Sequence, residues 1–131
     1  MLDFKKLKLK IVENNKATYS FAELEDFVDW EVKRVYYIQN VKTDTGQHCH
    51  KQEKELFVMV AGSCTAIIDS GNGKEDVFLE GPGDAIYVGD YVWHGFKDFS
   101  EGAILLALSS TNYKEDRSDY VEDYDEYKKI V

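Results

Sequence analysis

The chain has 131 residues and a formal net charge of −9, with 44% hydrophobic and 14% aromatic residues. That length suits one ordered domain, residues 1–131, with a real core, and is too short for two. The acidity excludes a general nucleic-acid or anionic-membrane binder, and no apolar run reaches the length of a membrane span.

In chain order, Phe4 to Val12 alternates lysine with Leu7, Leu9 and Ile11 and reads as one half-buried strand, turned by Glu13-Asn14-Asn15. Thr18 to Trp30 stays open between helix and loop: Phe21, Leu24, Phe27 and Val28 have helical spacing in a short acidic segment. Val32 to Val41, dense in Val, Tyr and Ile, is a strand, with Lys42 to Gly46 as its exit loop.

Strands follow over Leu56–Val60 and Cys64–Asp69, joined at Ala61-Gly62-Ser63, and over Asp76–Leu79 after the turn Ser70–Gly73. Gly81-Pro82-Gly83 carries the only proline and marks a tight turn. Ala85–Val88, Gly95–Phe99 and Ala103–Ser109 complete the strands. Short strands with polar turns and no alternating helices imply a sandwich or barrel, most naturally a jelly roll. In the acidic tail Asn112–Val131, the residues Tyr120, Tyr124, Tyr127 and Val131 have helical spacing, which predicts a short helix with its tyrosines on the barrel.

All three histidines, His48, His50 and His94, fall in two glycine-bounded stretches. His48 and His50 stand two apart, so on an extended backbone both side chains look into one space. Imidazole titrates near neutral pH, which suits it to taking and returning a proton. Cys49 and Cys64 suggest no disulfide framework, and the lysine-rich start lacks a following apolar core. Export is therefore not expected, and a reducing cytoplasm is.

The stretch Gly46 to Gly62, with His48, His50, Glu55 and Gly62, resembles the first cupin motif, and Gly83 to His94 resembles the second. Lys42, Gly89 and Tyr91 depart from the usual glycine, proline and glycine. This resemblance implies an all-β cupin jelly-roll barrel with a short C-terminal helix.

Four further stretches, Lys33–Ile38, Gly46–Lys51, Tyr87–Trp93 and Ser118–Asp125, together resemble the sugar-nucleotide 3,4-ketoisomerases, a cupin family acting on dTDP-4-keto-6-deoxyglucose. The resemblance implies an isomerase without cofactor that moves a ketone from C4 to C3 through an enediol, in deoxyamino-sugar and surface-polysaccharide biosynthesis. It assigns proton transfer to His48, a relaying role to His50 and a hydroxyl near the sugar oxygens to Tyr37. Arg34, Lys51, Gln47, Trp93 and His94 would bind substrate, with Arg34 and Lys51 as cations for the diphosphate. The family arginine before the motif glycine is here Thr45.

Partners expected from the resemblance are a dTDP-linked keto sugar and a second copy, in a homodimer that exchanges the N-terminal strands, but neither nucleic acid nor membrane. The family's usual glutamine is here Glu55, so His48, His50, Glu55 and His94 also form a metal-cupin ligand set. The alternatives are therefore a metal-dependent cupin enzyme or a non-catalytic ligand-binding cupin.

Overall fold

In the computed structural model, which describes residues 2–131, the strands sort into layers through the alternation of apolar side chains. They are β1 (Phe4–Lys8), β2 (Lys10–Glu13), β3 (Thr18–Phe21), β4 (Arg34–Ile38), β5 (Thr45–His50) and β6 (Glu55–Ala61). After these come β7 (Ser63–Asp69), β8 (Glu75–Glu80), β9 (Asp84–Val88), β10 (Trp93–Lys97), β11 (Ile104–Ser109) and β12 (Tyr120–Val121), then helix α1 (Tyr124–Ile130). Two five-stranded antiparallel sheets form, in the orders β1-β9-β6-β11-β4 and β12-β5-β10-β7-β8. They make the jelly roll that the turn spacing implied.

Between the sheets lie Phe57, Met59, Ala66, Ile68, Ile86, Phe96 and Leu105, all buried. Alternate residues of β6 and β9, among them Leu56, Val58, Ala85 and Tyr87, face the other way and would be wet without cover. Leu7, Leu9, Phe27, Val28 and Trp30 supply it, and the indole Nε1 of Trp30 donates to the Tyr87 hydroxyl at 3.1 Å. On the outside of the second sheet, Cys49 and Trp93 pack under Tyr127 of α1. Asp123 caps that helix by accepting from the backbone N–H groups of Asp125 and Glu126.

Several expectations change. Phe4–Val12 is two strands: the Leu9 N–H bonds to the Gly83 carbonyl, and beyond it β2 leaves the sheet to pair with β3 alone. Thr18–Trp30 is neither an α-helix nor all loop, but β3 and a single 3-10 turn at Leu24–Asp26. Its apolar spacing reflects the cover that Phe27, Val28 and Trp30 give to the sheet. The strand after Lys33 ends at Ile38, and Thr45 and Gly46 already belong to β5. Tyr120 lies on β12, paired with His50, while Tyr124 and Tyr127 do sit on the helix and pack as expected. Val131 lies beyond the helix and is exposed.

Candidate active site

β5 carries His48 and His50 inward, and its backbone register places His94 of β10 directly opposite His48. The strands can approach this closely because Gly46 has φ +80° and a Cβ there would lie 2.8 Å from the Gly95 Cα. Ring centroids are 4.8 Å apart for His48–His50 and for His48–His94, and 5.6 Å apart for His50–His94. The Tyr120 ring closes the cluster, at 4.8 Å from His48 and 4.4 Å from His50.

Glu55, at the start of β6, is buried beneath the imidazoles. Its Oε1 lies 3.4 Å from the Nε2 of His50 and 3.6 Å from the Nε2 of His94, and its Oε2 accepts from the Tyr36 hydroxyl. His94 Nδ1 lies 2.9 Å from the Val92 carbonyl, so its proton sits on Nδ1 when the ring is neutral. His50 Nδ1 faces Asp119 Oδ2 at 3.3 Å and Glu53 Oε1 at 3.7 Å.

These surroundings separate the imidazoles. Burial, with His94 and His50 beside it, pushes the pKa of His48 down to about 3. Burial also opposes a charge on His50, but the hydrogen bond and charge of Glu55, with Glu53 and Asp119, outweigh it and raise its pKa. Burial works against the Glu55 carboxylate too; the His50 and His94 imidazoles that face it overcome that burial and hold Glu55 below its ordinary range. Burial first, then the Glu55 charge, pushes the Tyr36 phenol well up, so it stays a donor.

A cavity of about 200 Å³ opens over Tyr36, Thr45, His48 and His94, and a second of about 340 Å³ lies among Arg34, Tyr36, Tyr113 and Tyr120. Tyr36 lines both, with the imidazole cluster beside it.

His48, His50 and His94 thus come together as expected, but other assignments shift. Tyr37 is on the outer side of β4 and 60% exposed; its neighbour Tyr36 holds the inward hydroxyl. Gln47 and Trp93 precede inward histidines on their strands and therefore face outward. The Trp93 indole donates to Gln47 Oε1 at 3.0 Å and packs on Tyr124 and Tyr127, so neither side chain is placed to touch a ligand in the barrel. Lys51 is exposed and does not line the cavities. Arg34 does reach the cleft, but its guanidinium donates to buried Glu53 at 2.8 Å and to Ser109 at 3.2 Å.

Tyr36, Glu53, Asp119, Tyr120 and Arg117 were missed. Strand parity tied Tyr36 to Arg34 on one side of β4, and the pairing of β4 with β11 then turned that side inward. For Asp119 and Tyr120 the signal was their place in the tail motif. Of the metal-cupin set, His48, His50 and His94 group within 4.8 Å, and Glu55 Oε1 lies 3.4 Å from His50 Nε2 and 3.6 Å from His94 Nε2; His50 also groups with Glu53 and Glu55, whose carboxylates accept from Arg34 and Tyr36.

Residues 2–131 match the family described as FdtA: WxcM-like, C-terminal. The chain is 35% identical over 124 residues to a TDP-4-oxo-6-deoxy-α-D-glucose-3,4-oxoisomerase of Aneurinibacillus thermoaerophilus, covering 93% of this chain and 87% of that one. It is similar to the WlaRB TDP-quinovose 3,4-ketoisomerase of Campylobacter jejuni, with TM-score 0.87, 33% identity and coverage of 98% and 99%. A variant of the 3,4-ketoisomerase QdtA of Thermoanaerobacterium thermosaccharolyticum, solved with TDP-4-keto-6-deoxyglucose, superposes with TM-score 0.88 at 27% identity, over 99% of this chain and 94% of that one.

Proposed function

We propose, from the premise that this chain belongs to the family described as FdtA: WxcM-like, C-terminal, that it is a sugar-nucleotide 3,4-ketoisomerase acting on dTDP-4-keto-6-deoxyglucose. The observation that carries the chemistry is the convergence of His48 and His50 of one strand with His94 opposite them, ring centroids 4.8 to 5.6 Å apart, where burial lowers the pKa of His48 and the nearby carboxylates raise that of His50.

The C4 ketone acidifies the C3 proton, and neutral His48 removes it. A proton from His50 reaches O4 and gives the enediol. The return half transfers a proton to C4 while the O3 proton departs, leaving the ketone at C3. Net, one hydrogen moves from C3 to C4 and one from O3 to O4. The Tyr36–Glu55 pair orients His50 and His94 from below. The diphosphate meets the rim where Arg34, Lys114 and Arg117 line one pocket together with Glu53 and Asp119.

The protein works as a single cupin domain in the cytoplasm, supplying a 3-keto sugar for amination toward surface polysaccharide. Among the described residues no helix is long and apolar enough to cross a membrane. It acts as a homodimer exchanging N-terminal strands. Supporting this, Ile11, Val12, Tyr19 and Phe21 of the β2–β3 hairpin are exposed, as are Val35 and Tyr37 of the edge strand β4. Light scattering tests it; a fully active monomer at high dilution contradicts it.

The test of function is incubation with dTDP-4-keto-6-deoxyglucose in deuterated water, followed by NMR of the sugar. Deuterium entering the ring with a 3-keto product supports the isomerase, and absence of both refutes it.

A further inference from the structure

The tail motif around Asp119 has no part in the proton transfers described above, yet it reaches the site. Asp119 Oδ1 accepts from the backbone N–H groups of Lys51 at 3.1 Å and Gln52 at 2.8 Å, and Oδ2 accepts from that of Glu53 at 3.2 Å. Its own carbonyl accepts again from the Lys51 N–H at 2.9 Å. One residue thus binds three consecutive N–H groups of the turn that joins His50 to Glu55, the fourth, that of Lys54, going to Ser110 Oγ. The same Oδ2 lies 3.3 Å from His50 Nδ1, a buried nitrogen with no well-aligned hydrogen-bond partner of its own.

The other groups facing His50 leave this position to Asp119. Glu53 Oε1 is farther from Nδ1, at 3.7 Å, and the Glu53 carboxylate is committed to Arg34 at 2.8 Å and Thr111 at 3.2 Å. Glu55 addresses the opposite nitrogen, Nε2. His48, His94 and Tyr120 meet the ring through their own rings. Backbone pairing of Tyr120 with His50 fixes Asp119 in register, so its carboxylate cannot slide away from the turn.

We infer that Asp119 is a positioning residue of the isomerase, which through the His50–Glu55 turn and the His50 Nδ1 fixes the ring in the orientation that keeps Nε2 on Glu55. The inference rests on the ketoisomerase reading. An Nδ1–H facing a fixed carboxylate keeps one ring orientation and one tautomer, and removing the carboxylate takes away the partner that selects them.

The experiment compares wild type with Asp119→Asn and Asp119→Ala, using dTDP-4-keto-6-deoxyglucose as the probe. It reads kcat, KM, the thermal midpoint and the 15N shifts of the His50 ring in the full chain. Asp119→Asn keeps the size and an acceptor oxygen for the turn. For it we expect a kcat lower by about 10- to 100-fold, the usual cost of losing the partner that orients a working imidazole, with KM within about twofold and a changed His50 Nδ1 signal. Should Asp119→Ala fail to fold, the asparagine variant alone decides. Unchanged kcat and His50 shifts in a folded Asp119→Asn protein overturn the inference, as does a kcat loss wholly accounted for by the unfolded fraction. A wild-type protein that neither exchanges deuterium nor makes product overturns the ketoisomerase reading instead, and in that case the His50 shifts still report whether Asp119 holds the ring.

Discussion

His48 and His50 stand two residues apart on one strand with ring centroids at 4.8 Å, yet burial drives the first toward neutrality while carboxylates on both sides drive the second toward charge. On the ketoisomerase reading, the two rings are the acid and the base of the proton transfers, and His48→Asn and His50→Asn separate their roles. In the deuterium assay His48→Asn should lower exchange by about 10²- to 10⁴-fold, the range for a lost general base. Retention of wild-type exchange would move the base to another residue.

The same split sets stability against pH. The unfolded chain takes up the His48 proton near 6.5 and the folded chain only near 3, so stability falls as pH drops below 6.5. For His50 the folded value lies above 6.5, so its contribution is complete below 6.5 and is lost as pH rises through that folded value. Glu55, held below its ordinary 4.5, adds to the acid-side loss. The histidine pair therefore places its maximum near pH 6.5. Thermal midpoints across pH should show a flatter acid side in His48→Asn and a flatter alkaline side in His50→Asn.

Tyr36 and Tyr37 separate by parity. Tyr36→Phe removes the donor to a fully buried carboxylate and should cost about 1–3 kcal/mol in urea unfolding, with a fall in kcat. Tyr37→Phe, on the exposed side, should stay within about 0.5 kcal/mol. Equal effects would mean that the register of β4 on β11 differs from Tyr37↔Leu106.

Arg34→Ala strips the partner from buried Glu53, where side-chain exposures are 19% for Arg34 and 6% for Glu53. Leaving that carboxylate unpaired should destabilise by about 3–5 kcal/mol. The double variant Arg34→Ala, Glu53→Gln should recover much of the loss. If Arg34 served substrate alone, KM would rise with no change in unfolding.

Gly46→Ala tests the strand approach that brings His48 opposite His94. The added carbon would meet backbone at 2.8 Å and 3.0 Å, at the Gly95 Cα and the His94 carbonyl, neither of which can rotate away. Overpacking of this kind costs about 1–3 kcal/mol, and activity should fall further than stability because the two imidazoles are forced apart. A fully active alanine variant would show that β5 can shift without cost.

The sequence alone determined the all-β class and jelly roll, the C-terminal helix with Tyr124 and Tyr127, and the histidines. Each rests on short-range order: a period of two on a strand, a period near 3.6 on a helix, turn residues between them. The same alternation also held the answer for Gln47 and Trp93, which follow the opposite parity to His48 and His94. Tertiary structure decided the rest. Whether Tyr36 or Tyr37 faces inward depends on how β4 registers against β11, and the break at Leu9 depends on the Gly83 carbonyl from a distant turn. Arg34 is tied to Glu53 at 2.8 Å, and Asp119 reaches His50 across 69 residues of chain. Such pairings depend on which strands become neighbours, and a local pattern carries no record of that choice; burial then sets the opposite proton affinities of His48 and His50, because desolvation and carboxylate charge act only once the chain has closed around them.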